Sequence, residues 1–89
     1  MAVYKVYFKE SVEKDLKSIP KKDLSKIIQH ISWLSQEPRP FGSEKLSGQE
    51  RYRIRQGNYR VVYSIQDDML TVWIVKVGAR KEIYRRRKE

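Results

Sequence analysis

An α+β fold follows from three observations on this 89-residue chain. A β-branched and aromatic run opens it. Two stretches with apolar residues at helical spacing come next. From Glu50 onward the apolar period shortens to two, the alternation of a sheet. The expected architecture is an N-terminal strand, a helical hairpin, then antiparallel strands forming a small twisted sheet, closed by a short C-terminal helix. Residues 1–89 are expected to form a single domain.

Val3 to Phe8 is the opening strand. Ser11 to Ile19 has Val12, Leu16 and Ile19 at i, i+4 and i+7, and Pro20 ends that helix. A second helix is expected from Lys22 to Gln36, with an apolar stripe of Leu24, Ile27, Ile28, Ile31 and Leu34. Pro38-Arg39-Pro40 cannot continue it and opens a loop through Gly48. Tyr52 and Ile54 then alternate with Arg53 and Arg55. Gln56-Gly57-Asn58 is a turn signal. Tyr59, Val61, Tyr63 and Ile65 alternate with Arg60, Val62, Ser64 and Gln66. Asp67-Asp68 marks a tight turn. Met69 to Val77 is nearly all apolar, as a central strand covered on both faces requires. Gly78 is expected to break that strand, and Ala79 to Arg87 has the composition of a short basic helix.

The formal net charge is +9, which makes polyanions the first partners to consider. The charge is unevenly placed. Residues 1–50 carry 9 basic and 7 acidic side chains, and residues 51–89 carry 11 and 4. Lysine dominates the first part and arginine the second, and arginine forks onto phosphate as lysine cannot. Cysteine is absent, which removes disulfides, thiol catalysis and thiolate metal sites. A single histidine, His30, cannot build a histidine-rich metal centre, and it is read as structural. No long apolar run exists, so neither a membrane span nor a secretory signal is expected, and the expected location is the cytoplasm.

If Tyr52, Ile54, Tyr59, Val61, Tyr63 and Ile65 face the helices, alternation puts Arg53, Arg55 and Arg60 together on the opposite face. Three cations in eight residues are costly there unless an anion joins them, so that face is read as a phosphate-binding surface. Arg80 and Tyr84, at i and i+4 of the basic C-terminal helix, would arrive at its edge. Surrounding positive charge favours the phenolate form of such a tyrosine. Lys45, Arg51, Lys81, Arg85 and Arg86 extend the surface as expected RNA contacts, and the tail adds salt-dependent affinity. Trp33 and Trp73 are read as packing residues rather than base-stacking ones. Asp67 and Asp68 are read as turn residues, and Glu10 and Glu13 as helix-dipole partners. No acidic pair is placed for a magnesium-dependent nuclease.

The segments Lys45-Leu46-Ser47-Gly48, Tyr52-Arg53-Ile54-Arg55, Gly57-Asn58-Tyr59-Arg60-Val61-Val62-Tyr63 and Val75-Lys76-Val77-Gly78-Ala79-Arg80-Lys81-Glu82-Ile83-Tyr84 resemble the RelE/ParE toxin superfamily. The resemblance covers essentially the whole chain. It implies a toxin of a type II toxin–antitoxin pair, held in a hetero-oligomer by a RelB-like antitoxin. The RelE branch enters the ribosomal A site and cuts messenger RNA there, by attack of a 2′-hydroxyl on the adjacent phosphate, without a metal or cofactor. By this resemblance the catalytic set is Arg53 and Arg55 at a basic pair that is often lysine, Arg60 on the phosphate, Arg80 as second catalytic arginine, and Tyr84. Ala79 stands where several relatives have histidine. Two other functions share the fold or the charge: a ParE-like inhibitor of DNA gyrase, and a module that only binds RNA or an acidic protein.

Overall fold

The computed structural model describes residues 3–46 and 51–79. Strand β1 (Lys5–Phe8) leads into helices α1 (Glu10–Lys17) and α2 (Lys21–Trp33). Strands β2 (Glu44–Lys45), β3 (Arg51–Gln56), β4 (Tyr59–Gln66) and β5 (Thr71–Ala79) follow, with a 3-10 turn over Asp67–Met69 before the last. Among the described residues they make one sheet in the order β1-β5-β4-β3-β2.

The sequence's apolar stripes become the core. Val12 of α1, Ile27 and Ile31 of α2, and Leu34 just beyond it pack against Ile54, Val61, Tyr63, Val72, Ile74 and Val77 of the sheet. Tyr52, Tyr59 and Ile65 pack against this cluster from the same strands, as alternation requires. Each fully buried aliphatic side chain stabilises the fold by about 1.5–3 kcal/mol. Glu10 and Glu13 open α1 while Lys14 and Lys17 close it, matching both ends of its dipole. Asp15 ties α1 to the sheet: its carboxylate accepts from Lys76 Nζ at 2.9 Å, and both side chains are largely shielded.

The fold departs from the sequence reading in five places. The sheet is mixed, because β1 pairs parallel with β5 from Lys5↔Thr71 to Phe8↔Ile74. Parallel neighbours need a long crossover, and the helical hairpin with the strands after it provides one. The loop after Pro38 contains an edge strand, β2, paired with β3. The link from β4 to β5 is longer than a tight turn: the 3-10 turn ends at Leu70, which takes a left-handed φ of 47°. Finally, Gly78 does not break the last strand. It is buried and pairs with Arg60, and Ala79 pairs with Tyr59. Helix α2 also stops at Trp33, where i→i+3 bonds from Leu34 and Ser35 tighten the chain. The expected C-terminal helix lies outside the described residues.

Candidate functional site

The site begins with the β3–β4 hairpin. Gly57, at φ 60°, supplies the left-handed residue that a tight turn needs. The turn fixes the register, and the register pairs Arg55 with Arg60 and Arg53 with Val62. All three arginines therefore lie on the face away from the helices, as alternation anticipates. Arg51, exposed at the start of β3, shares that side by the same alternation.

Depth separates them. Arg60 is only 2% exposed. The Arg53 side chain is 18% exposed and that of Arg55 63%. The sequence groups the three arginines as one phosphate-binding surface; the structure grades them by depth. The cause is strand position. Arg60 sits on an interior strand and is flanked by β3 and β5, whereas Arg55 lies close to the sheet's edge. A guanidinium stays protonated at any physiological pH, so burial fixes the Arg60 charge in place rather than removing it.

An anion is already present on this face. Glu44 of β2 is the register partner of Arg53. It accepts a hydrogen bond from Arg53 Nη2 at 2.8 Å, and Arg55 Nη2 lies 4.0 Å from its other oxygen. Arg53 Nε is buried and has no hydrogen-bond partner among the described residues. Sequence reasoning misses Glu44, because a two-residue strand has no period to read. Lys45, the next residue, pairs with Tyr52, whose side packs on the core. Alternation thus separates Lys45 from the arginines and places it on the helix side of the edge strand.

Strand β5 brings Gly78 directly beside Arg60. The chain reaches Ala79 at that point, one peptide short of Arg80. Arg80, Lys81, Tyr84, Arg85 and Arg86 lie outside the described residues.

A second polar cluster, absent from the sequence reading, braces the opposite end of β4. Arg39 grips Asp67 through two hydrogen bonds of 3.1 and 2.8 Å, and its Nε donates to Tyr52 Oη at 3.1 Å. Tyr4 donates to the same carboxylate at 2.7 Å. The Arg39 guanidinium and the Tyr4 hydroxyl hold the Asp67 carboxyl down at about 2. The Asp67 hydrogen bond raises the pKa of Arg39 in turn, and that of Tyr4. Deeper in, Tyr63 is fully buried and donates to the Pro38 carbonyl at 2.8 Å, and burial pushes its phenol up to about 12. These groups hold the proline loop, and with it β2 and Glu44, against the sheet. His30 is partly buried, with Nδ1 3.2 Å from Gln56 Oε1.

Residues 6–84 match the family of ParE toxins of type II toxin–antitoxin systems. The chain is 34% identical to toxin RelG of Mycobacterium tuberculosis over 87 residues, covering 93% of this chain and 98% of that one. Its fold is similar to the toxin in the archaeal RelE–RelB complex of Pyrococcus horikoshii, with a TM-score of 0.79, 34% identity, and 90% and 97% of the two chains covered. The isolated RelE toxin of Escherichia coli superposes with a TM-score of 0.76 at 25% identity, covering 93% of each chain. Sequence and fold agree, and the chain belongs to the RelE/ParE superfamily of type II toxin–antitoxin toxins.

Proposed function

We propose that the protein is a ribosome-dependent endoribonuclease that cuts translated messenger RNA in the A site. The observation that carries this reading is the cross-strand pairing of Arg55 with Arg60, beside Arg53 on one face of the sheet. In the reaction, a 2′-hydroxyl oxygen bonds to the neighbouring phosphorus and the P–O5′ bond breaks. The 2′-hydroxyl gives up its proton, and the departing 5′-oxygen takes one up. The products are a 2′,3′-cyclic phosphate and a 5′-hydroxyl. Negative charge gathers on the phosphoryl oxygens in between, and fixed guanidinium groups stabilise it without reorganising. Buried Arg60 is the fixed centre of that field. Arg53 and Arg55 act as an electrostatic clamp, since arginine is a poor proton donor. Arg80 completes the clamp and Tyr84 exchanges the proton in this reading. The ribosome positions the RNA, so the toxin alone is nearly inert.

The partner is a RelB-like antitoxin, as in the Pyrococcus complex. An acidic segment of it would neutralise the basic face and inhibit.

The match to ParE toxins favours a second reading, inhibition of DNA gyrase on the same fold. Transcript mapping in translating extracts separates the two. Cuts within translated codons that vanish in Arg60→Ala and Tyr84→Phe support the nuclease. Intact messages with gyrase-dependent DNA damage establish the second reading instead.

A further inference from the structure

We propose that Tyr7 and Trp73 form a base-stacking platform for single-stranded RNA, continuous with the arginine face on the same side of the sheet. The platform presupposes the nuclease reading above, and adds where nucleotides flanking the cut phosphate lie.

Tyr7 and Trp73 are register partners across β1 and β5. Their chain neighbours Val6, Val72 and Ile74 pack in or against the core, so both rings lie on the outer face. The rings stack with centroids 5.1 Å apart and planes 30° apart. A depression of about 390 Å³ borders Trp73, lined also by Phe8, Lys9, Glu10, Ser64 and Gln66. Tyr7 remains 43% exposed and Phe8 37%. A cross-strand aromatic pair does stabilise an edge strand. That accounts for the contact between the rings, but not for the open aromatic surface around them.

Position and charge select the occupant. The outer face of β4 carries Arg60, Val62 and Ser64 in succession. Arg60 pairs with Gly78 and Ser64 with Trp73. At about 3.3 Å per residue, Arg60 and Ser64 are roughly 13 Å apart. Arg60 and Val62 are buried, so one extended strand a few nucleotides long would run over them, from a phosphate at the exposed Arg55 to a base over Trp73. Single-stranded RNA supplies both the phosphate and the flat π face, and every base can stack. Ser64 and Gln66 offer hydrogen bonds to base edges. A second copy of the chain would instead bring together two chains that each carry a net charge of +9.

The chain has two tryptophans, Trp33 and Trp73. Purified full-length Trp33→Phe toxin therefore reports on Trp73 alone. Titration with a single-stranded RNA oligonucleotide is expected to quench Trp73 fluorescence, whereas an abasic ribose-phosphate oligomer of the same length is not. Trp73→Ala is expected to weaken RNA binding roughly tenfold, with abasic-oligomer binding unchanged and Trp73→Phe largely restoring affinity. Absence of quenching, or equal RNA affinity in the Ala and Phe variants, overturns the platform. So does a concentration-dependent dimer that Trp73→Ala dissolves while RNA affinity holds. Cleavage is scored separately: if the wild-type toxin leaves translated messages intact, the nuclease reading fails. If the wild type cuts them while Trp73→Ala binds RNA normally, only the platform fails.

Discussion

Within β4, Arg60 and Val61 are adjacent, both are buried, and they point to opposite sides of the sheet. Val61 lies against the helices among aliphatic neighbours, where its burial stabilises the fold. Arg60 carries a permanent charge into a shielded position on the other face, where burying its methylene stem helps but burying its guanidinium costs solvation. Equal depth thus has two meanings in one strand. On the helix face, depth records packing. On the arginine face, depth records a charge that its flanking strands have carried out of water.

Substitutions on either side of that peptide bond should separate stability from activity. Arg60→Ala is expected to lower the ribosome-dependent cleavage rate by about 100- to 1,000-fold, as measured by primer extension on a translated message. If cleavage survives at more than about a tenth of the wild-type rate, Arg60 is not the anchor. Val61→Ala is expected to cost roughly 2 kcal/mol of stability while the rate per folded molecule stays near wild type. Urea unfolding of the two variants, read beside their activities, tests the contrast directly.

Smaller effects probe the groups that hold the arginine face in shape. Tyr63→Phe removes the donor to the Pro38 carbonyl and should cost about 1 kcal/mol. It also removes a group whose pKa burial raises to about 12. A raised pKa stabilises the fold fully below the unfolded value near 10, and that contribution is lost as pH rises from about 10 to 12. The wild type should therefore lose more stability than Tyr63→Phe over that alkaline window. Glu44→Gln removes the anion beside Arg53 and Arg55. RNA should then bind tighter by at most about fivefold, and the gain should shrink as salt is added. An unchanged affinity at low salt would mean that Glu44 does not compete with phosphate. At the acid end, the depressed Asp67 carboxyl contributes stability above its unfolded pKa and loses it as pH falls from about 4 to about 2. Asp67→Asn should flatten the thermal-melting profile over that interval.

The sequence shows which residues share a face much better than how deep they lie. Ile54, Val61 and Tyr63 could be assigned to the core because a period of two around a glycine turn admits one register. The same pattern places Arg53, Arg55 and Arg60 on the opposite face. It cannot show that Arg60 is buried and Arg55 open, because depth depends on which strands flank each residue. Two of those strands are set by nonlocal pairing. β2 is too short to have a pattern, and it brings Glu44 to Arg53 only through tertiary contact. The parallel alignment of β1 with β5 likewise joins distant segments. Trp73 illustrates the same limit: its apolar surroundings in sequence suggest simple packing, and only the register shows it stacked on Tyr7 on the outer face.

That first-to-last strand pairing also orders events in time. Lys5 meets Thr71 only after nearly the whole chain between them is available, and closing so long a loop precedes any gain from the contact. Arg60 gains its inner wall, at Gly78, from the same late strand. A chain still under synthesis therefore has its N-terminal strand waiting and its central cation open to water. Among the described residues Arg60 is the most deeply buried charge, and truncation before residue 71 removes the strand that walls it in, so such a product should lack both the closed sheet and the enclosed cation.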